Sequence, residues 1–405
     1  MAKALEGIRM IEVTSFHNGT AGGYMLSDLG AEVVKVEPPA GDYSRRLGPF
    51  PDDVPDPERS GLFLHLNTSK RSVTLDVSVT SGQVVLKKLL GNADVFVAGE
   101  RRSTLESWGL SYDAVTGEFP ELVYAQVSPF GATGPYADYD GNSLTALAMS
   151  SIMYGTGDPD REPLATGGEP GEYIAGVQLW VGILAALANR DARGGGDHVD
   201  VAMTDAAAVA DEYNAAMYAF QGAIRRRYYS RHIFGYPNDI MPCADGHVVM
   251  IHGASGFPSP LNPGVASPMA LLLEDLELDK TPLFTQMGER MLNWKQFDEL
   301  VQPYLAAHTA VEIVMTAQAL RMPFAYVPDA EQLLSDEHLA ERGFFKTVAH
   351  PKAGSLKLPG PPFKMAETPL RESPAPLRGE ANEEVLAGLG YEKSEMGVLS
   401  DRGVI

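Results

Sequence analysis

The stretch "GEPGEYIAGVQLWVGILAAL", residues 168–187, sets Glu172 at the head of a long apolar run, two residues after Pro170 and inside a glycine-rich approach. Two readings fit that carboxylate. It can be the nucleophile of a covalent transfer, with backbone N–H groups of a glycine-rich loop holding the developing oxyanions. It can also be a plain helix-start group, because acidic residues and a leading proline both suit the first helical turn. Glu169 is the neighbouring competitor. Two basic pairs also stand where chemistry could use them: Arg45 and Arg46 in "KVEPPAGDYSRR", and Lys70 and Arg71 in "HLNTSKRSVTLDV". Cation pairs at loop positions near strand ends suit a phosphate pocket, or a solvated pair flanking a strand.

The elements around these residues alternate. "GIRMIEVTS" reads as a buried strand ending in the loop "FHNGTAGG", and Tyr24, Met25, Leu26 and Leu29 then follow at helical spacing up to Gly30. "AEVVKVEP", "SVTLDV", "ADVFVAG" and "LVYAQVSPFG" are further strand candidates, with the helical "SGQVVLKKLLGN" between the second and third. "DHVDVAMTDAAAVADEYNAAM" continues as strand and then helix. Alternation of this kind predicts an α/β domain with a parallel sheet, whose ligands bind at the carboxyl ends of the strands. The first strand end lacks a GxGxxG fingerprint, which disfavours a nicotinamide or flavin dinucleotide. From about residue 225 the texture becomes loop-rich, with the strand "HVVMIH" and helices from Met269 to Leu320; residues 348–378 are proline-rich and without periodicity, an extended arm.

Composition bounds the partners. The chain has 405 residues and a formal net charge of -21, from 53 acidic against 32 basic residues. Such a surface repels phosphate backbones and anionic membranes, so nucleic acid is not an expected partner. Cys243 is the one cysteine, which excludes an intramolecular disulfide and a cysteine-rich zinc site, and no metal motif stands in the sequence. The N-terminus lacks the apolar region of a secretion signal. The most apolar run, Ile174 to Ala188, is about fifteen residues and carries Gln178, short of a membrane span. A cytoplasmic protein without a membrane association is expected.

Together "GIRMIEVTSF…LSDLGAEVVKVEPPAGDYSR", "LNTSKRSVTLDV", "SPFGATGPYAD" and "GILAALANRDARGGGDHVDVAMTDA" resemble the class III coenzyme A transferases, the CaiB/BaiF group, from about Gly7 to Asp205. The resemblance implies a Rossmann-like large domain, a small second domain and two chains interlocked like links. Carried over by position, it gives Phe16, His17 and Asn18 in the first loop to coenzyme A, with Pro38 at the second strand end and Lys70 and Arg71 toward the nucleotide phosphates. The family's asparagine-phenylalanine pair after the next strand is replaced here by Gly99 and Glu100, and its downstream arginine by Ser107; Arg101 or Arg102 stands in reserve. The family nucleophile is an aspartate in a D-x-x-x-G pattern ahead of "GILAAL". Counting back lands on Glu172, with the spacing to Gly176 kept and the side chain one methylene longer. The racemases of the group need a histidine base after "GPY"; Asn142 occupies that place and cannot act as a base.

The alternation and the change of texture, with the resemblance, imply an α/β protein with a large coenzyme A domain over 1–224, a small domain over 225–330, and a return segment over 331–405. The expected activity is transfer of coenzyme A from an acyl-CoA to a small carboxylic acid through Glu172, with Phe16, His17, Asn18, Pro38, Arg45, Lys70, Arg71 and Arg101 on the coenzyme. No metal and no cofactor beyond coenzyme A as substrate is expected. An interlocked homodimer is the expected assembly. The alternative is a catalytically silent subunit that binds coenzyme A esters or joins an active paralogue.

Overall fold

The computed structural model describes residues 3–14, 26–231, 235–251, 256–258, 264–370 and 373–405. Short β-branched runs between glycines and prolines become the strands of one sheet: β1 (Arg9–Val13), β2 (Glu32–Glu37), β3 (Arg71–Thr74), β4 (Val95–Ala98), β5 (Val123–Ser128) and β6 (His198–Ala202). Their order is β3-β2-β1-β4-β5-β6, and every neighbouring pair runs parallel. This is the doubly wound order of Rossmann-like folds. The strand sequence reverses between β1 and β4, which opens a crevice at their carboxyl ends.

Both faces of the sheet are covered, as a parallel sheet requires. Ile11, Val34, Val73 and Phe96 project to one side, against Val85, Leu86 and Leu89 of a helix, Thr80–Leu90. Met10, Val33, Val95 and Val123 project to the other. There they meet Ala175, Leu179 and Ile183 of the long helix Pro170–Arg193. We number the helices used below α1 (Gly61–Leu66), α2 (Thr80–Leu90), α3 (Ser143–Met149), α4 (Pro170–Arg193), α5 (Met203–Ala210) and α6 (Glu212–Gln221). The helix read from "MTDAAAVADEYNAAM" is interrupted at Asp211, whose φ -107° and ψ 55° are not helical.

The sequence understated α4. Pro170 starts it and the left-handed Gly194 ends it, so the helix runs 24 residues rather than the shorter apolar run alone. Within it, Pro170–Arg190 is long and apolar enough, by length and composition, to cross a membrane. Its inward face is nonetheless spent on the sheet.

The described residues divide into two compact units. The first is Met1–Met153, Ala165–Ile224 and Ala340–Ile405; the second is Tyr154–Leu164 and Arg225–Leu339. The second holds an antiparallel sheet of β7 (Asn238–Pro242), β8 (His247–Ile251) and β9 (Ala325–Tyr326), with Phe284, Phe297, Val301 and Ile313 in its core. Residues 154–164 join it because Arg227 donates to the carbonyls of Tyr154, Asp158 and Arg161 at 3.1, 3.0 and 3.0 Å.

The arm read as aperiodic contains a hairpin, β10 (Phe345–His350) and β11 (Gly354–Pro359). Val348 faces Leu356 across it, an alternation too short to stand out among lysines and prolines. The hairpin lies in the part of the first unit that resumes at Ala340, and beyond it Ala381, Leu386, Met396 and Val404 enter the sheet core.

Close backbone approach at the β5–β6 end fixes one glycine. A Cβ on Gly196 would stand 2.0 Å from the Leu122 carbonyl oxygen. Gly196→Ala is expected to cost about 2 kcal/mol or more. Urea unfolding should show it as a lower midpoint at unchanged slope.

Candidate active site

The carboxyl ends of β1 to β4 surround a cavity of about 420 Å³, lined by Thr14, Pro38, Tyr43, Arg46, Asp76, Glu100 and Trp108 among others. The loop after β2 builds much of its rim. Asp42 accepts from the Ser44 N–H at 2.7 Å and caps a 3₁₀ turn, Tyr43–Arg46. Three residues per turn put Tyr43 and Arg46 on one side, toward the cavity, and turn Ser44 and Arg45 inward.

Beneath the rim lies a buried ionic network. Lys35 reaches Glu12 at 3.2 Å, Asp42 at 3.0 Å and the Thr14 carbonyl at 2.9 Å. Lys70 donates to Glu12 at 2.8 Å and to Asn67 Oδ1 at 3.0 Å. Arg45 forks onto Glu37 with two bonds of 2.7 Å, adds Glu58 at 2.9 Å and the Pro376 carbonyl at 3.2 Å, and lies 3.6 Å over the Phe63 ring. Burial alone would raise the Glu12 carboxyl; the Lys70 and Lys35 ammoniums outweigh it and hold it at about 2. Burial likewise opposes the charge on Lys35, but Asp42, Glu12 and Glu37 keep it above its ordinary value. Burial draws Lys70 below its ordinary value against the attraction of Glu12.

The expected coenzyme residues therefore separate. Pro38 lines the cavity. Arg45 and Lys70 are spent on internal carboxylates. Arg71 pairs with Glu32 and Glu384 at 2.9 and 2.8 Å, and Arg101 with Asp140 at 2.8 Å. Phe16, His17 and Asn18 lie outside the described residues. Arg46, named beside Arg45 in the sequence, is the cavity-facing member of the pair, and the 3₁₀ period is the signal that separates them. Glu100, noted as a replacement, faces the cavity as well.

Glu172 is the third residue of α4 and is 1% exposed. Because α4 leads into the start of β6, its amino end lies at the carboxyl edge of the sheet. There the Gly171 N–H donates to Ser143 Oγ at the head of α3, at 3.0 Å. A Cβ on Gly171 would meet that oxygen at 2.9 Å, so glycine lets the two helix ends approach. Tyr173 packs with Leu47, Leu62 and Leu66, toward the loop and α1 that follow β2. The partial positive charge of the helix end favours an anionic group there. Asn142 caps α3, accepting from Thr145 N–H at 3.1 Å.

The network sets a pH dependence. Glu12 sits at about 2 against an ordinary 4.5, so its contribution to stability is complete above pH 4.5 and is lost as the pH falls toward 2. Glu12→Gln, which takes from buried Lys70 its bonded carboxylate and from Lys35 one of two, is expected to cost about 3–5 kcal/mol at neutral pH. Denaturant titrations should show the gap from wild type narrowing across that acid range.

The profile of CoA-transferase family III matches residues 5–382. Formyl-CoA:oxalate CoA-transferases of Streptomyces avermitilis and Streptomyces coelicolor are 30% and 31% identical, each over 100% of both chains. A subunit of Thauera aromatica named succinyl-CoA:(R)-benzylsuccinate CoA-transferase subunit BbsE is 29% identical over 100% of this chain and 99% of its own. The crystal structure of a CAIB/BAIF family protein from Brucella suis superposes with a TM-score of 0.83 at 25% identity, covering 96% of this chain and 100% of that one. The chain is thus an enzyme belonging to CoA-transferase family III.

Proposed function

We propose that the protein moves coenzyme A from an acyl-CoA to a small carboxylic acid by a covalent relay on Glu172. A Glu172 oxygen attacks the thioester carbonyl carbon, the C–S bond breaks, and a mixed anhydride and coenzyme A thiolate result. The thiolate then attacks Cδ of Glu172, which releases the donor acid as its carboxylate and leaves a glutamyl thioester. The acceptor carboxylate attacks that thioester, and the returning thiolate takes the acyl group from the second anhydride. Product acyl-CoA leaves, the Glu172 carboxylate is restored, and no proton is gained or lost. Splitting one exchange into four additions is the gain of nucleophilic catalysis.

One observation carries this reading: a carboxylate buried in the first turn of α4, on the sheet edge where open α/β folds bind their ligands. The names of the relatives, which pair an acyl-CoA with an acid, agree with it. The coenzyme's nucleotide end occupies the strand-end cavity, against Pro38, Tyr43 and Arg46. The assembly is a cytoplasmic homodimer. Its support is the run of exposed apolar side chains on α4 to α6, Val177, Val181, Val209, Tyr218 and Phe220, the last 89% exposed. The second reading, a silent partner of an active paralogue, draws on the extra methylene at position 172 and on the relative named as a subunit.

Incubation with succinyl-CoA and hydroxylamine, followed by peptide mass spectrometry, should find the hydroxamate at Glu172. Unmodified protein across formyl-, acetyl- and succinyl-CoA favours the silent subunit instead. Glu172→Gln should lower transfer by roughly a thousandfold or more. Undiminished transfer in that variant ends the relay mechanism. Glu172→Asp withdraws the carboxylate by about one C–C bond, ~1.5 Å, and should reduce kcat on the order of a hundredfold. Arg46→Ala should raise KM for the acyl-CoA about 10- to 100-fold while kcat holds, the loss of one charge-assisted bond.

A further inference from the structure

The strand-end cavity is poorly matched to a cluster of phosphates. Three acidic residues line it, Asp42, Asp76 and Glu100, against one cationic residue, Arg46. Two of the three are already occupied. Asp42 binds Lys35 and the Ser44 turn, and Asp76 accepts from the Ser78 N–H at 3.0 Å and from its hydroxyl. Glu100 differs. Among the described residues its carboxylate has no hydrogen bond and no ion pair. Its neighbour Arg101 turns away to Asp140, and Arg102 to Asp138.

The position is nevertheless built. The Gly99 N–H donates to the Val13 carbonyl at 2.9 Å, and Gln126 Nε2, on a buried side chain, donates to the Glu100 carbonyl at 3.3 Å. The backbone that carries Glu100 is thereby tied to β1 and β5. Burial pushes the carboxyl up, with Arg101 pulling it only part of the way back. A half-buried carboxylate that the protein itself leaves unbonded is stabilised by a ligand that brings a donor. Tyr43 and Trp108 add two aromatic residues to the same lining.

We infer that Glu100 is a specificity-determining residue that accepts a hydrogen bond from the adenosine of the coenzyme, while Arg46 takes one phosphate oxygen. Two groups of a 3′-phosphorylated adenosine can donate: the exocyclic N6 amine and the ribose 2′-hydroxyl. Carboxylates accept from both kinds of donor in nucleotide sites. The pyrophosphate must then extend away from Glu100, since carboxylate and phosphate side by side repel, and the same repulsion favours the N6 amine over the 2′-hydroxyl, whose neighbour is the 3′-phosphate. The inference rests on the coenzyme reading of the cavity, and its test separates the two.

Calorimetric titration of the full chain with free coenzyme A and with pantetheine measures both. Glu100→Ala should weaken coenzyme A about 10- to 100-fold, the loss expected for a hydrogen bond to a charged group. Glu100→Gln, nearly isosteric and still an acceptor, should fall between it and wild type. Pantetheine, which lacks the nucleotide, should bind all three alike. The 1,N6-etheno analogue and the 2′-deoxy analogue then assign the donor: whichever binds wild type as weakly as coenzyme A binds Glu100→Ala lacks the recognised group. Unchanged or tighter coenzyme A binding in both variants overturns the inference alone, since simple repulsion of phosphate predicts tightening. Wild-type protein that does not bind coenzyme A overturns the coenzyme reading, and this inference with it.

Discussion

The attraction between Lys35 and its two carboxylates, Glu12 and Asp42, is the constraint from which the first unit's architecture at the site follows. It ties the end of β1 to the end of β2 and to the loop beyond it. Three ammonium or guanidinium groups and three fully buried carboxylates occur together there, and none could be buried alone without several kcal/mol of desolvation cost. Matched, they fix the 3₁₀ turn that aims Tyr43 and Arg46 at the cavity. The network is therefore better understood as the foundation of a binding rim than as a source of net stability.

The sheet order explains why such a foundation sits where it does. The strand order reverses between β1 and β4, which run parallel, and this leaves a crevice that neither crossover fills. Loops from four strand ends border it and bring three kinds of chemistry: Thr14 from the β1 end, ring and cation from the β2 loop, and the acidic residues Asp76 and Glu100 from the β3 and β4 ends. The helix α4 delivers Glu172 to the same edge of the sheet from the opposite half. Glycine at position 171 is what allows it to seat there.

Much of this was legible in the sequence. Buried parallel strands read as unbroken apolar runs, so "ADVFVAG" and "LVYAQVSPFG" announced themselves, and the alternation with helices carried the fold class. Residue direction was less legible. Nothing in the composition of "DYSRR" distinguishes the inward Arg45 from the outward Arg46, because the period of a single 3₁₀ turn decides it. Nor could charge counting reveal that Lys70 meets Glu12, a partner 58 positions away. The helix break at Asp211 and the hairpin at 345–359 escaped because the local preference at each is weak.

The return of the chain after residue 340 has a consequence for how the protein is made. One face of the large sheet is finished by Leu386, Met396 and Val404, and Arg45 is held in part by the carbonyl of Pro376. During synthesis the strands and α2 emerge early, yet the part of that face covered by Leu386, Met396 and Val404 stays open until those residues have been made. The second unit, contained within 154–339, has every one of its segments available sooner. Biogenesis thus runs out of order: the interior piece can consolidate while the large parallel sheet still awaits its final cover.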